Sequence, residues 1–117
     1  MANRKTHTLL ATNDINGATI LDETGREMGR VDHLVLDMVK GKIAYAVVVF
    51  GGFLGLGEET YSIPWGSVRF NSEEGLFVTA ITREQLESAP SRPANWHSDR
   101  AWEERTFDHF GIPPYWL

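Results

Sequence analysis

Several residue types and patterns are missing from this chain, and each absence narrows the range of possible functions. None of the 117 residues is cysteine, which excludes disulfides, thiolate nucleophiles and thiolate metal sites. The net charge is −5 and the 11 basic residues form no stripe. This argues against direct nucleic-acid binding, because neutralising phosphates requires clustered lysine and arginine. No run of residues approaches the roughly eighteen apolar residues of a membrane-spanning helix, so we expect no membrane span.

The N-terminal segment gives no sign of an export signal. Arg4 and Lys5 are followed by only a short apolar patch, which is too short for the hydrophobic centre of a signal peptide. The length and composition are typical of one globular domain, or of one domain with a tail. We therefore expect a cytoplasmic protein that has no bound cofactor.

No pattern of catalytic or metal-binding residues is evident. The two pairs of adjacent carboxylates, at 58–59 and 73–74, diverge to opposite faces of an extended chain, so neither pair can share a proton. No serine lies within a G-x-S-x-G motif. His97 and His109 lack the spacing of a zinc site. The sequence therefore predicts a protein that is not an enzyme and binds no metal.

The most informative stretch is residues 43–65, IAYAVVVFGGFLGLGEETYSIPW. Residues 43–50 carry no charge and are apolar at both odd and even positions, which is typical of a strand covered on both faces. The β-branched and aromatic side chains in this run favour a strand over a buried helix. A second apolar segment begins near residue 61, after a loop that combines glycine with large apolar side chains.

The glycine-rich loop GGFLGLG allows more than one interpretation. Nucleotide binding is disfavoured, because G-x-G-x-x-G is not matched, two glutamates follow the loop, and a strand rather than a helix comes next. Phe53, Leu54 and Leu56 either fold back to cap the open end of a β structure or stay exposed as a patch for a partner. One loop can do both in a dimer, so the choice stays open.

Short apolar segments and turn signals recur along the chain at intervals of about ten residues, which is typical of small all-β folds. We expect strands at residues 18–22, 31–38, 43–50, 61–65, 68–70 and 76–81. Their spacing predicts a closed or nearly closed antiparallel sheet. Thr82 and Gln85 then match a capping box, which predicts a short helix near residues 83–88 with Leu86 facing inward.

The end of the chain is unusually aromatic. Six aromatic residues follow a proline-containing linker: Trp96, Trp102, Phe107, Phe110, Tyr115 and Trp116. Ser98 or Asp99 is placed to cap a helix that runs to about residue 109, with Trp102, Thr106 and Phe110 on one face. These rings either pack on the chain's own sheet or dock onto a second chain, and the sequence leaves both choices open.

The order of these features resembles the PRC-barrel domain. The matching segments are GREMGRVDHLVLD at 25–37, GKIAYAVVVFGGFLGLGEE at 41–59, IPW at 63–65 and TREQLESAP at 82–90. The resemblance implies a small β-barrel that serves as a docking module, with no catalytic residues to carry over. It is closest to the stand-alone members, since the membrane helix of the photosynthetic reaction-centre H subunit and the second barrel of a ribosome maturation factor are not found here.

The predicted fold is all-β, a small antiparallel β-barrel of about six strands with a short helix and an aromatic C-terminal extension. The expected organisation is an N-terminal arm at 1–15, a barrel at 16–90, and a linker and tail at 91–117. We predict a non-enzymatic protein-interaction or assembly module that forms a homo-oligomer. The predicted partner-binding residues are Phe53, Leu54, Leu56, Trp96, Trp102, Phe110 and Trp116. The alternative is a protein that binds a small apolar or quinone-like ligand at the barrel mouth, under Phe53 and Leu56.

Overall fold

A six-stranded sheet forms the framework of the protein in a computed structural model, which describes residues 8–51 and 58–117. The strands are β1 (Thr19–Leu21), β2 (Glu27–Asp37), β3 (Lys42–Gly51), β4 (Glu58–Pro64), β5 (Val68–Asn71) and β6 (Leu76–Thr79). The helices of the described residues are α1 (Thr12–Ile15), α2 (Arg83–Glu87) and α3 (Arg100–Phe110), and 3₁₀ turns lie at Trp65–Ser67 and Trp96–Ser98. None of these helices has the length and apolar character needed to cross a membrane.

The strands lie in the order β4-β3-β2-β1-β6-β5. Neighbouring strands are antiparallel except β1 and β6, which run parallel with Ile20 opposite Phe77. The expected antiparallel barrel is therefore wrong in two respects. The sheet is mixed, and within the described residues it curls into a half-barrel that does not close. The reason is that turn signals report only local reversals of the chain, whereas the parallel pair joins two distant segments.

The six strands occur where apolar segments predicted them, although some ends differ. β2 begins at Glu27 rather than at residue 31, because its first residues pair with β1. Trp65, which was expected to end β4, lies in the 3₁₀ turn that follows that strand. The β2–β3 ladder shifts register after Val31 and again after Val35. Such irregularities bend a strand and increase its twist, which accounts for the curl of the sheet.

Strand β3 is buried on both faces, as its uncharged sequence predicts. Every side chain from Ala44 to Phe50 is buried. On the inner face of the curl, Ala46, Val48 and Phe50 join the main core of the protein. The buried members of this inner core are Ile15, Ile20, Val31, Ala46, Val48, Phe50, Ile63, Phe77, Ile81, Leu86 and Phe110. On the opposite, outer face, Tyr45 contacts residues from the C-terminal part of the chain.

Local signals set the ends of the two longer helices. At the predicted capping box, Gln85 N donates to Thr82 Oγ1 at 3.1 Å, and Thr82 N donates to Gln85 Oε1 at 2.8 Å. The predicted burial of Leu86 is also confirmed. Helix α3 begins after Asp99, whose carboxylate accepts a backbone hydrogen bond from the first turn. It ends at Gly111, which has φ 69° and takes the left-handed conformation that favours glycine.

Gly29 of β2 packs directly against the backbone of β3, and this contact generates a stability prediction. A Cβ atom at position 29 would overlap the carbonyl oxygen of Val49, which belongs to the sheet and cannot easily move. We expect Gly29→Ala to lower the free energy of unfolding by about 3 kcal/mol, the upper end of the usual cost of overpacking. Urea unfolding followed by tryptophan fluorescence measures this change. The control is Glu27→Ala at an exposed position of the same strand, and equal losses in both variants would contradict the prediction.

Candidate interaction surface

An aromatic cluster covers the first part of the outer face of β3, around Tyr45. It consists of Tyr45 from β3, Trp102 and Phe107 from α3, and Tyr115 and Trp116 from the C-terminal segment. The ring centroid of Tyr45 lies 5.5 Å from that of Trp102, 5.3 Å from Phe107 and 6.0 Å from Tyr115. Phe107 also contacts Trp116, with centroids 5.5 Å apart. In this structure the aromatic tail therefore packs on the chain's own sheet.

Positively charged side chains hold the C-terminal segment over this cluster. Lys40 Nζ donates to the carbonyl oxygen of Trp116 at 2.9 Å, and Lys42 Nζ donates to that of Tyr115 at 3.5 Å. The guanidinium carbon of Arg100 lies 3.8 Å from the ring centroid of Trp116. The two lysine contacts tie the C-terminal segment to the turn between β2 and β3 and to the start of β3, and the Arg100 contact ties it to α3. A single cation–π contact at a partly exposed site contributes about 0.5–1 kcal/mol, so packing of the rings remains the larger effect.

Four polar side chains, those of Tyr45, Arg100, Glu103 and Tyr115, meet at the edge of the aromatic cluster. The Tyr115 hydroxyl donates to Glu103 Oε2 at 2.7 Å, and Arg100 Nε donates to Glu103 Oε1 at 3.0 Å. The Tyr45 hydroxyl is buried and makes no hydrogen bond of ordinary length among the described residues, although the Glu103 carboxylate lies near enough to interact with it. Burial, followed by the charge and the hydrogen-bonding influence of Glu103, raises the pKa of Tyr45 above its ordinary value. Burial and the hydrogen bond to Glu103 raise the pKa of Tyr115 to about 12.

Some of the predicted partner-binding residues lie in the interior of the described structure. Trp102 is only 1% exposed and belongs to the aromatic cluster, where it stacks on Tyr45. Phe110 is also buried, but it belongs to the inner core. The two residues share one face of α3, as predicted, yet they reach different clusters because α3 packs along the edge strand β4. Neither side chain is accessible to a partner while the C-terminal segment stays on its own sheet.

The other predicted partner-binding residues are either half-buried or outside the described part of the chain. Trp96 stacks on His97 with ring centroids 3.6 Å apart, and the Arg92 guanidinium lies 4.8 Å from its ring. Trp96 and Trp116 are both half-buried beside the aromatic cluster. The apolar loop residues, Phe53, Leu54 and Leu56, lie outside the described residues.

The predicted ligand site at the barrel mouth involves Phe53 and Leu56, which lie outside the described residues. Within the described part, the inner face of the sheet is packed with the protein's own side chains, among them Phe50, Phe77 and Phe110. The apolar or quinone-like ligand therefore stays a prediction.

Sequence analysis missed an exposed apolar surface at the turn between β2 and β3. Leu36 is 43% exposed, Met38 78% and Val39 93%. Leu117 is 80% exposed and follows Trp116, which Lys40 holds beside the same turn. We call Leu36, Met38, Val39 and Leu117 the apolar tip. The available signal was the pair of large apolar residues at 38–39, at a turn where polar residues and glycine are usual.

The two histidines of the C-terminal region contact other parts of the chain. His109 Nε2 lies 2.8 Å from the carbonyl oxygen of Gln85, and His97 stacks on Trp96. Across residues 8–51 and 58–117, no group of three histidine, aspartate or glutamate side chains is arranged to hold a metal ion. The expectation that the protein is not an enzyme stays a prediction.

The unpartnered hydroxyl of Tyr45 generates a second stability prediction. Burying a polar group without a partner costs about 1–3 kcal/mol, so we expect Tyr45→Phe to raise the free energy of unfolding by about 1 kcal/mol. Tyr115→Phe is the matched control, because it removes a hydroxyl that donates to a carboxylate, and we expect it to destabilise the protein. Urea unfolding of both variants measures the difference. A larger loss of stability in Tyr45→Phe than in Tyr115→Phe would show that the Tyr45 hydroxyl has a partner.

The raised pKa values of the tyrosines predict how the free energy of unfolding changes at alkaline pH. All 3 tyrosines of the chain have a raised pKa, that of Tyr61 through burial and its hydrogen bond to Glu59. A raised pKa in the folded state favours the protonated form. The stability that Tyr115 contributes is therefore complete below about pH 10 and is lost as the pH rises from there towards 12.

Absorbance at 295 nm reports tyrosine ionisation and checks this expectation. We expect the folded protein to ionise above the ordinary range, and Tyr115→Phe to lack the transition near pH 12 and to lose stability less steeply above pH 10. Ionisation of all tyrosines near pH 10 in the folded protein would contradict the prediction.

Comparison with known proteins identifies the family. The family model of the PRC-barrel domain matches residues 7–86, which is more than half of the 117 residues. A search of curated proteins found no match. The matched region contains all six strands of the sheet and ends within α2, whereas α3 and most of the aromatic cluster follow it. The resemblance inferred from the sequence is confirmed, and this chain belongs to the PRC-barrel domain family.

Proposed function

We propose that this protein is a non-enzymatic interaction module that self-associates through the apolar tip. The observation that carries the proposal is the exposure of four large apolar side chains at one end of the sheet, from 43% for Leu36 to 93% for Val39. Grouped exposed apolar side chains are typical of sites where proteins meet. Membership of the PRC-barrel domain family supports the proposal, because the family resemblance implies a docking role.

The charges around the apolar tip favour a second copy of the chain as the partner. Asp37 and Lys42 lie opposite each other in the β2–β3 ladder, and Lys40 lies in the turn between these strands. A twofold contact between two tips brings the acidic group of each copy towards the basic groups of the other. Lys40 has three N–H donors and uses one on Trp116, so it retains donors for a carboxylate of the second copy.

The contact must extend beyond the apolar tip, because stable interfaces bury about 800 Å² on each partner. Trp96 and Trp116 are the nearest aromatic residues that are half-buried, and both belong to the predicted partner-binding set. Aromatic side chains of this kind contribute strongly to interfaces. We therefore place these two tryptophans at the margin of the proposed interface.

The remaining predicted partner-binding residues do not belong to the apolar tip. Phe53, Leu54 and Leu56 stay predicted contacts of the glycine-rich loop. Trp102 and Phe110 are buried within the chain, so they reach a second copy only if the two chains exchange their C-terminal segments.

The double variant Met38→Ser with Val39→Ser tests the proposal. Removing two exposed apolar side chains from the tip is expected to weaken self-association at least about tenfold, because burying one such side chain stabilises a contact by about 1.5–3 kcal/mol. Size-exclusion chromatography with light scattering over a range of concentrations measures the oligomer, which we expect to be a dimer for the unmodified chain.

The matched control for this test is Leu9→Ser. Leu9 is 91% exposed, precedes α1 in the chain and does not belong to the apolar tip. We expect the control to dimerise normally, and circular dichroism and urea unfolding to show that all variants are folded. A strict monomer for the unmodified chain, or equal weakening by the control, would refute the proposal.

A further inference from the structure

A cleft runs along the edge of β4 that faces away from β3, and we call it the edge cleft. Its volume is about 500 Å³, within the range of pockets that bind ligands. Consecutive side chains of a strand point to opposite faces of the sheet, so a cleft lined by residues 59, 60, 61 and 62 must follow the edge of the strand. The opposite wall is formed by α2 and by the segment 89–92 that follows it.

The edge of β4 that lines this cleft has no pairing partner among the described residues. β4 lies at one end of the sheet and pairs there only with β3. Within the described contacts, no backbone hydrogen bond joins it to α2 or to residues 89–92. In an antiparallel pair, alternate residues of each strand direct their N–H and C=O groups away from the partner strand. This edge of β4 therefore offers backbone donors and acceptors to a molecule in the cleft.

The same edge lacks several features that usually prevent a strand from pairing with another chain. Protected edge strands are often short, or carry bulges, lysine or proline. The β3–β4 ladder keeps one register along β4, whereas the β1–β2 and β2–β3 ladders are both irregular. β4 has 7 residues, contains no lysine, and has its proline in the last position. The opposite edge, β5, has only 4 residues. β4 is therefore the edge better suited to accept a further strand.

One side of the edge cleft is acidic. The Tyr61 hydroxyl donates to Glu59 Oε1 at 2.9 Å. Burial, this hydrogen bond and the charges of Glu59 and Glu87 raise the pKa of Tyr61, because both carboxylates lie near its hydroxyl. Arg83 acts in the opposite direction, but it lies over the ring of Phe50 and does not line the cleft. Tyr61 packs against the inner core, so the acidic side of the cleft lies towards the inner face of the sheet.

The other side of the edge cleft is basic. Arg92 lines the cleft, and its guanidinium carbon lies 4.8 Å from the ring centroid of Trp96. Trp96 packs against the aromatic cluster, which places Arg92 towards the outer face of the sheet. Glu59, Glu87 and Arg92 are all exposed, so a molecule that enters the cleft can reach each of these charges.

We propose that the edge cleft binds an extended segment of another protein, which adds to β4 as a further strand and carries a basic residue next to an acidic one. Adjacent residues of a strand point to opposite faces, so the basic side chain meets Glu59 and Glu87 while the acidic side chain meets Arg92. The backbone of the segment hydrogen-bonds to β4, and the two charges set its register. No residue of the apolar tip lines this cleft, so the site does not depend on the proposed self-association.

Titration of the full chain with the peptide acetyl-Thr-Val-Lys-Glu-Val-Thr-amide tests the charge pattern. Isothermal calorimetry gives the dissociation constant. The control peptide, acetyl-Thr-Lys-Val-Glu-Val-Thr-amide, has the same composition but places both charges on one face of the strand. We expect the control to bind about tenfold more weakly, because one of its charges loses its partner and meets a like charge instead. Equal binding of the two peptides would refute the proposal.

N-methylated forms of the first peptide test whether the segment binds as a strand. One form is methylated at the second and fourth residues, and the other at the third and fifth. Only one of these two sets of N–H groups faces β4, so we expect the affinities of the two forms to differ at least about tenfold. In ¹H–¹⁵N NMR spectra the unmodified peptide should cause its largest shifts at residues 59–62. Equal affinities of the two methylated forms, or largest shifts at the apolar tip, would overturn the proposal.

Variants of the protein test the acidic side of the cleft. We expect Glu87→Gln to weaken binding of the first peptide about threefold, since an exposed ion pair contributes modestly. Glu84→Gln is the matched control, because Glu84 lies on the same helix but does not line the cleft, and affinity should not change. Glu87→Lys is expected to lose the preference for the first peptide over one in which glutamate replaces its lysine. Unchanged affinity and preference in both Glu87 variants would contradict the site.

Further measurements separate this proposal from folding and from self-association. Urea unfolding shows whether each variant is folded, and light scattering under the same conditions gives its oligomeric state. Peptide binding by a strictly monomeric protein would support the edge cleft while refuting the proposed self-association. Failure of the peptide to bind a chain that still dimerises would refute the edge cleft alone.

Discussion

The burial of β3 on both faces is the constraint on which the rest of the structure depends. Its inner face is buried by the curl of the sheet, together with side chains from α2 and the end of α3. On its outer face, the side chains of Ala44 and Tyr45 would be exposed to water if no second layer covered them. Trp102 and Phe107 of α3 provide that layer. The segment beyond the matched family region thus completes the packing of a strand that lies within it.

The way in which this second layer is attached also determines which apolar side chains remain exposed. Lys40 and Lys42 fix the C-terminal segment to the turn between β2 and β3, so the cover ends at that turn. Beyond this boundary Met38 and Val39 stay exposed. The exposure of the apolar tip is therefore a consequence of where this covering layer ends.

Sequence patterns predicted the features that depend on neighbouring residues and missed those that depend on distant ones. The capping pair of Thr82 and Gln85 marked the start of α2, and the uncharged run at 43–50 predicted a strand with two buried faces. The parallel pairing of β1 with β6 has no local signature, and it changed the expected barrel into an open mixed sheet. The packing of the aromatic rings was also left open by the sequence, because Tyr45 meets Trp102 and Phe107, which lie far away along the chain.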